Sequence, residues 1–417
     1  MLKAGPIKER LATAVGSQNL RTATAGDSVC GVPPQFVAEP ENEEQLASLL
    51  SCADDTGVAV VPRGRGTKLD WGNPPKRADV ILSTARLDRV LEHAWADLTV
   101  TVQSGCTVQA LQNTLVQHGQ RLACDCLWPE RATIGGLLST NDSGALRLRF
   151  GALRDLIIGV TLALPDGTLA SSGGKVVKNV AGYDLQKLMT GSFGTLGIIT
   201  QATFRLYPLP RVTRTFTVTF TDAESANQLA LKLFDSQIAY TGIQLRAENQ
   251  QFHIDLRLEG TAEGLDAQVR QLKILAPSLG ETGGTVWRAR EELFADGSST
   301  VLKITLLPSQ LSWSCNLIVS SCDAQDIQWS YVVQACGIGL LKLTTTNENT
   351  LSGLIQSLRA AMESQGGSLV VLRLSPALRS KIDSWGAAPD SLPLMRRVKE
   401  RFDPAGILNP GRFVGGI

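Results

Sequence analysis

The sequence predicts an α+β protein in which a glycine-rich, strand-and-turn region precedes a domain of mixed strands and helices. Three observations point there. First, residues 133–200 carry glycines that are often paired or three apart, with short β-branched or leucine-rich pieces between them, such as Ile157–Leu162. Interior glycines each cost a helix about 1 kcal/mol relative to alanine, so this stretch reads as strands and tight turns. Second, Pro208 and Pro210 close its last strand and mark a boundary. Third, Arg214–Phe220 alternates as a half-exposed strand does, and helix-period segments follow it.

In order, residues 1–30 read as a helix and an extended entry. Glu41–Thr56 reads as a helix with Leu46, Leu49, Leu50 and Ala53 on its buried stripe, acids in its first turn and Gly57 as its stop. Val58–Pro62 is then a buried strand, and Arg63–Lys68 is the loop leaving it. Strands are expected at Asp79–Leu82 and Leu98–Gln103, and a helix over Thr107–His118 with Thr107 as N-cap and Gly119 as its stop. Beyond the boundary, strands are expected near 243–246, 252–258, 301–307, 339–343 and 368–374. Helices are expected over 222–234, 265–275 and 351–362, and the whole reads as one α+β domain or as two small units sharing a sheet. Leu394–Phe402 reads as an amphipathic helix before turns at Asp403–Gly406 and Asn409–Gly411.

The chain has 417 residues, 43% hydrophobic and 19% charged, with a formal net charge of +1. That is an ordinary globular composition, with no electrostatic case for nucleic acid or an anionic membrane. No apolar run approaches the roughly 20 residues of a spanning helix. The first residues carry charges where a signal peptide has its apolar core, so the cytosol is the expected location. The eight cysteines are expected as reduced thiols. Cys124 and Cys126 read either as two thiols on one face of a strand or as a redox or metal pair. His93, His118 and His253 are far apart in sequence, and no metal site is expected.

The Arg63-Gly64-Arg65-Gly66-Thr67-Lys68 loop combines glycines, cations and a hydroxyl. It reads either as a phosphate-binding nest of backbone amides or as an ordinary cationic loop. The Walker, Rossmann and hydrolase-elbow spacings all fail on letters. Gly174-Lys175 is followed by Val176, Leu69 stands where a Rossmann loop needs its third glycine, and Gly-x-Ser-x-Gly is absent.

The order of motifs is more telling than any one of them. Arg63–Thr67 is followed by Ala132-Thr133-Ile134-Gly135-Gly136, then Asn141-x-Ser143-Gly144, Phe150-Gly151-x-x-Arg154-Asp155, Lys178-Asn179-x-x-Gly182-Tyr183-Asp184 and Gly194-x-Leu196-Gly197-Ile198-Ile199-Thr200. This series resembles the FAD-binding domain of the vanillyl-alcohol-oxidase, or p-cresol-methylhydroxylase (PCMH), family over residues 30–210. Phe402–Gly411 is similar to the family's C-terminal return to that domain. Trp128–Gly136 and Lys178–Asp184 look most like the FAD-binding E-type subunits of glycolate oxidase complexes.

The resemblance implies a two-subdomain PCMH-type FAD-binding domain at 1–210, completed by 392–417, and an α+β, ferredoxin-like cap at 211–391. It implies that Arg63, Gly64, Arg65, Gly66, Thr67 and the adjoining Lys68 meet the FAD diphosphate, with Thr133, Ile134, Gly135 and Gly136 on its other side. Asn141, Ser143 and Gly144 would lie along the flavin or ribityl, and Gly197, Ile198 and Ile199 near the adenine. Some members attach FAD through a histidine in the first loop; this loop has none, which implies noncovalent FAD. The implied partners are a catalytic D-type flavin subunit and an iron–sulfur F-type subunit, and the implied substrate class is a 2-hydroxy acid such as glycolate or D-lactate. Related catalytic subunits carry a histidine-rich metal site in the second domain, where this chain has only His253. The expected role is therefore electron relay or support. A non-catalytic scaffold and a self-sufficient oxidase are the alternatives. Arg246, Lys303 and Arg373 read either as strand-edge or solvated cations or as carboxylate contacts, Tyr183 and Asp184 either as a packed, hydrogen-bonded turn or as residues beside the flavin, and catalytic residues stay unassigned.

Overall fold

A computed structural model describes residues 4–174 and 182–417. The chain divides into two compact units. The first comprises residues 1–143, 152–209 and 387–417, and the second residues 144–151 and 210–386.

The first unit holds two main sheets. A four-stranded sheet has the order Leu20–Thr22, Phe36–Ala38, Val80–Ser83, Val60–Arg63. Its last three strands run parallel, and residue 408 adds a parallel bridge beside Val60. The helix Glu43–Thr56 covers it. Asn42 caps that helix by accepting the Gln45 amide, and Gly57 ends it at φ 62°. Leu46, Leu49, Leu50 and Ala53 are fully buried at helical spacing. An antiparallel five-stranded sheet has the order Val90–Ala94, Thr99–Gln103, Ile198–Arg205, Ile157–Ala163, Leu169–Gly173. The helix Val108–Val116 packs Val108, Leu111 and Leu115 into its core, with Thr107 capping the Ala110 amide.

The glycine-rich stretch is not strands and turns alone. Ile134–Thr140 is a short helix, with Thr133 as its N-cap accepting the Gly136 amide. Ile134, Leu137 and Leu138 are all buried at i, i+3 and i+4. Their burial and the cap outweigh the low propensity of the adjacent Gly135 and Gly136. Residues 144–151, in the middle of the same stretch, group with the second unit. Cys124 and Cys126 lie outside any strand, in no disulfide, packed against the core.

The second unit is an eight-stranded antiparallel sheet built from two β-α-β-β-α-β halves. One half has the strands Val212–Phe220, Tyr240–Glu248, Gln251–Gly260 and Gly280–Thr282, with helices Ala223–Phe234 and Ala262–Leu275. The other has Thr300–Thr305, Gln328–Gln334, Ile338–Thr344 and Ser368–Arg373, with helices Leu311–Asp323 and Glu348–Ser364. The halves join where residues 244–248 pair with 330–334. This is the expected ferredoxin-like α+β arrangement, duplicated across one sheet. Three of its elements escaped the sequence reading. Leu311–Asp323 is rich in serine, cysteine and β-branched residues, which have low helix propensity. It is helical because Leu311, Cys315, Ile318 and Cys322 are completely buried on one face. The strands Gln328–Gln334 and Gly280–Thr282 were likewise unmarked, the latter by its shortness.

The hairpin between residues 334 and 338 turns at Gly337, with φ 88°. A Cβ there would lie 1.8 Å from the Leu306 carbonyl oxygen. Gly337→Ala is therefore expected to destabilise the protein by about 3 kcal/mol or more, since backbone cannot move aside as a side chain can. Thermal unfolding of the variant checks this. An unchanged Tm would contradict the tight packing of this turn.

Candidate functional site

The strand Val60–Arg63 ends in a loop whose amides are unengaged. No hydrogen bond within the described residues uses the backbone N–H of Gly64, Arg65, Gly66 or Thr67. Gly64 and Thr67 are half-buried and Arg65 and Gly66 exposed, and a run of unengaged amides at a cleft is a ready anion cradle. The loop is anchored from behind. Arg63 donates to Asp27 at 2.9 Å, while Arg21 grips the same carboxylate through bonds of 2.7 and 2.8 Å. The Thr24 amide and hydroxyl complete the carboxylate's partners at 2.9 Å each. The Arg21 guanidinium, the Thr24 donors and Arg63 together hold the Asp27 carboxyl far below the usual carboxylate range, against the opposing effect of burial.

The second ribbon comes from the start of the helix Ile134–Thr140. The Ile134 amide donates to the Cys106 carbonyl at 2.9 Å and the Gly135 amide to Ser104 at 2.7 Å. These bonds fix the ribbon in place, and the donors facing the cleft come chiefly from the first loop. The two ribbons touch. A Cβ on Gly64 would fall 2.1 Å from Thr133 Oγ1, and one on Gly135 2.8 Å from Ser104 Cβ. Around them lies a cleft that is partly open to solvent.

Of the residues singled out in the sequence, Arg63, Gly64, Arg65, Gly66, Thr67, Lys68, Thr133, Gly135, Gly136, Gly197, Ile198 and Ile199 all line this cleft. Ile134 is fully buried in the core behind it. Asn141 and Ser143 lie outside the lining: Asn141 closes the helix with φ 48°, and Ser143 is buried beyond it. Gly144 groups with the second unit. Lys178–Ala181 lie outside the described residues. Tyr183 is 89% exposed, and Asp184 pairs with Lys187 at 2.6 Å.

Sequence reasoning missed Ser139, Thr140, Phe193, Gly194, Asn409 and Arg412, which also line the cleft. The last two arrive through a tertiary clamp. Lys399 donates to the carbonyls of Thr195 at 2.8 Å and Leu408 at 2.9 Å, and to the Asp403 carboxylate. Asp403 in turn accepts the amides of Ile407 and Leu408 at 3.1 and 2.8 Å. Burial lowers the pKa of Lys399 despite this carboxylate. Residues 407–409 then run alongside Val60, which donates to the Ile407 carbonyl and accepts the Asn409 amide.

The charges at the cleft are mostly committed. Arg412 is buried and donates to the carbonyls of Leu69 and Trp71, both at 2.6 Å. The Lys68 ammonium sits 5.5 Å from the rings of both Trp71 and Trp128 and 3.5 Å from the buried Asp142 carboxylate. Arg65 is exposed and has no ion-pair partner among the described residues. A dinucleotide diphosphate fits this set: unengaged amides, no Cβ where the ribbons meet, and one guanidinium left to face the charge. Among the described residues, no histidine or cysteine lines the cleft.

In the second unit the candidate carboxylate contacts are already occupied. Arg246 forms a fork on Asp255 at 2.6 and 3.0 Å, and Asp255 is completely buried. Gln244 and Thr217 also donate to that carboxylate. Arg373 donates to the carbonyls of Ser299, Phe294 and Leu293. Lys303 lies on the strand Thr300–Thr305. Burial, then the neighbouring Arg246, lowers the pKa of His253, whose Nδ1 meets the Thr219 hydroxyl at 3.0 Å. Among the described residues no group of three His, Cys, Asp or Glu side chains is placed to hold a metal ion, and no helix is long and apolar enough to cross a membrane.

Residues 34–173 match the FAD binding domain family, and residues 385–413 match the C-terminal domain of FAD linked oxidases. The first match contains both ribbons, the second Asn409 and Arg412. The chain is 26% identical to the glycolate oxidase subunit GlcD of Bacillus subtilis, over 98% of this chain and 96% of that protein. It is 34% identical to a D-lactate dehydrogenase of Archaeoglobus fulgidus over 46% of this chain and 42% of that one. It is 33% identical to the D-2-hydroxyglutarate dehydrogenase of Xanthomonas citri pv. viticola over 54% of this chain and 46% of that one. Among solved structures, p-cresol methylhydroxylase with substrate bound shares the fold with a TM-score of 0.79 at 15% identity, covering 98% and 96% of the two chains. An alkyldihydroxyacetonephosphate synthase does so with a TM-score of 0.76 at 18% identity, covering 99% and 86%.

Gly64→Ala pushes a methyl group into Thr133 and is expected to weaken FAD binding at least tenfold. Titration of the apoprotein with FAD measures this, and wild-type affinity would mean that the ribbons do not enclose the ligand. Asp27→Asn should lower stability by roughly 3 kcal/mol near neutral pH, as for loss of one partner in a buried charge network. The sign with pH follows from the depressed folded pKa. The carboxylate's contribution is complete above the unfolded Asp value of about 4 and is lost progressively as pH falls below it. The gap in Tm between wild type and Asp27→Asn should therefore narrow with acid; a gap that is constant from pH 7 to 3 would refute this.

Proposed function

We propose that this FAD-linked oxidoreductase is the FAD-binding, E-type subunit of a glycolate or D-lactate dehydrogenase complex. Its partners would be a catalytic D-type flavin subunit and an iron–sulfur F-type subunit, and its own flavin would relay electrons between them. The observation that carries the reading is the meeting of the Gly64 and Thr133 ribbons at a single cleft with four unengaged amides. When bound, FAD supplies the redox chemistry, uptake and release of a hydride or of single electrons. The chain's residues hold and orient it. The 64–67 amides and Arg65 meet the diphosphate, Ile198, Ile199 and Phe193 give the adenine an apolar wall, and Arg412 and Lys399 hold the C-terminal segment against it.

Relay rather than independent oxidation is supported by the second unit. Oxidising a 2-hydroxy acid requires a cation for the carboxylate and a base for the hydroxyl proton. The forks of Arg246 and Arg373 are both turned to internal acceptors. His253, the single histidine of this unit, has its Nδ1 on the Thr219 hydroxyl.

The purified chain should be yellow and should release FAD intact on denaturation, as expected of a noncovalent cofactor. Without oxygen, glycolate or D-lactate should leave its flavin band in place when the chain is alone, and bleach it when the co-expressed catalytic subunit is present. Bleaching of the isolated chain would replace this reading with a self-sufficient dehydrogenase. A colourless chain that still binds the catalytic subunit would make it a scaffold.

A further inference from the structure

Asn409 stands at the cleft with one end of its carboxamide tied down and the other facing no donor. It is 2% exposed. Its Nδ2 donates to the Phe193 carbonyl. Only the amine end of a carboxamide can do so, and this settles which atom is oxygen. Oδ1 is buried and meets no donor among the described residues. The backbone around this contact is held in an uncommon conformation. Asn409 has φ 49°, Phe193 has φ 57° and Gly194 has φ 66°. At the non-glycine positions, Asn409 and Phe193, such strain persists where the surrounding structure over-determines it, and it gathers at ligand sites. Here the Lys399–Asp403 clamp and the Val60 ladder do the holding.

A buried acceptor without a donor is destabilising, and a ligand that brings a donor removes the penalty. Phosphate oxygens are acceptors at neutral pH, so the diphosphate cannot be the partner of Oδ1. We propose that Asn409 is a cofactor-binding residue. Its Oδ1 accepts a hydrogen bond from an N–H or O–H donor on the adenylate half of FAD, namely the adenine amino group or a ribose hydroxyl. The inference rests on FAD being the dinucleotide in this cleft. It makes the C-terminal return part of the cofactor site rather than only a strap across it.

The test uses the full-length chain stripped of FAD and titrated with FAD, with FMN, and with FAD analogues carrying hypoxanthine or a dideoxyribose. Asn409→Gly suits the left-handed backbone and removes only the carboxamide. The expected result is FAD binding weakened about ten- to a hundredfold, with FMN binding unchanged and only a small fall in apoprotein Tm from loss of the bond to the Phe193 carbonyl. The analogues separate the two donors. Wild type should lose a similar factor on the hypoxanthine analogue if the adenine amine is the donor, or on the dideoxyribose analogue if a ribose hydroxyl is, and Asn409→Gly should be insensitive to that same change. The proposal is overturned by an unchanged FAD affinity, by equal weakening of FAD and FMN, or by a fall in apoprotein Tm without any change in the FAD-to-FMN preference. Should Asn409→Gly fail to fold, wild-type indifference to both analogues overturns it alone. Failure of the wild-type chain to bind FAD at all would instead sink the cofactor reading on which this rests.

Discussion

The architecture of the first unit depends on one approach of backbone to side chain: Gly64 lies so close to Thr133 that no methyl group fits between them. Each side of that contact is set by a different sheet. Gly64 leaves the end of a parallel strand, whose register places Arg63 beside Ser83. Thr133 is fixed by its bridge to Thr107 and by the amides of Ile134 and Gly135 on the carbonyls of Cys106 and Ser104. Neither sheet alone makes a ligand site. Together they turn a row of backbone donors toward a space that a side chain would otherwise fill, and that space suits a ligand charged on two adjacent phosphates.

The chain closes on this contact from its far end as well. Lys399 and Asp403 lie one helical turn apart, the first half-buried and the second buried, a placement stabilised because the ammonium and the carboxylate are paired and their remaining bonds go to backbone. The pair joins the 192–197 loop, the last helix and the segment at 407–409. Cleft-lining residues thus come from about residue 62, about 135, 193–199 and about 410, four regions that only tertiary structure brings together.

That distribution explains what could be read from the amino-acid order. The loop at Arg63–Lys68 was legible because its signal is local: a strand before it and two glycines within it. N-caps at Asn42, Thr107 and Asp222 are equally local, and the helix starts follow from them within two residues. The helix at Ile134–Thr140 was hidden because a glycine pair argues against it unless the burial of Leu137 and Leu138 is known. Phe193, Asn409 and Arg412 were hidden for a related reason. Asn409 looks like a turn residue and Arg412 like a surface cation, and only the Val60 ladder and the Leu69 and Trp71 carbonyls give them other work. Arg246 and Arg373 failed in the opposite direction. An arginine on a strand looks available until its fork is seen to be filled.

The filled fork of Arg246 has a chemical consequence. Asp255 is completely buried and receives Arg246, Gln244 and Thr217 together, so its charge is fully compensated inside the sheet. Drawing Arg246 off to meet a substrate carboxylate would leave Asp255 short of its only ion-pair partner among the described residues, a loss of several kcal/mol for a buried charge. A carboxylate substrate offers one bidentate pair in return, in water-accessible surroundings where such a pair is worth less. The exchange is uphill. An evolved hydroxy-acid site would not keep its cation in so deep a well, so Arg246 reads as a structural residue of this sheet.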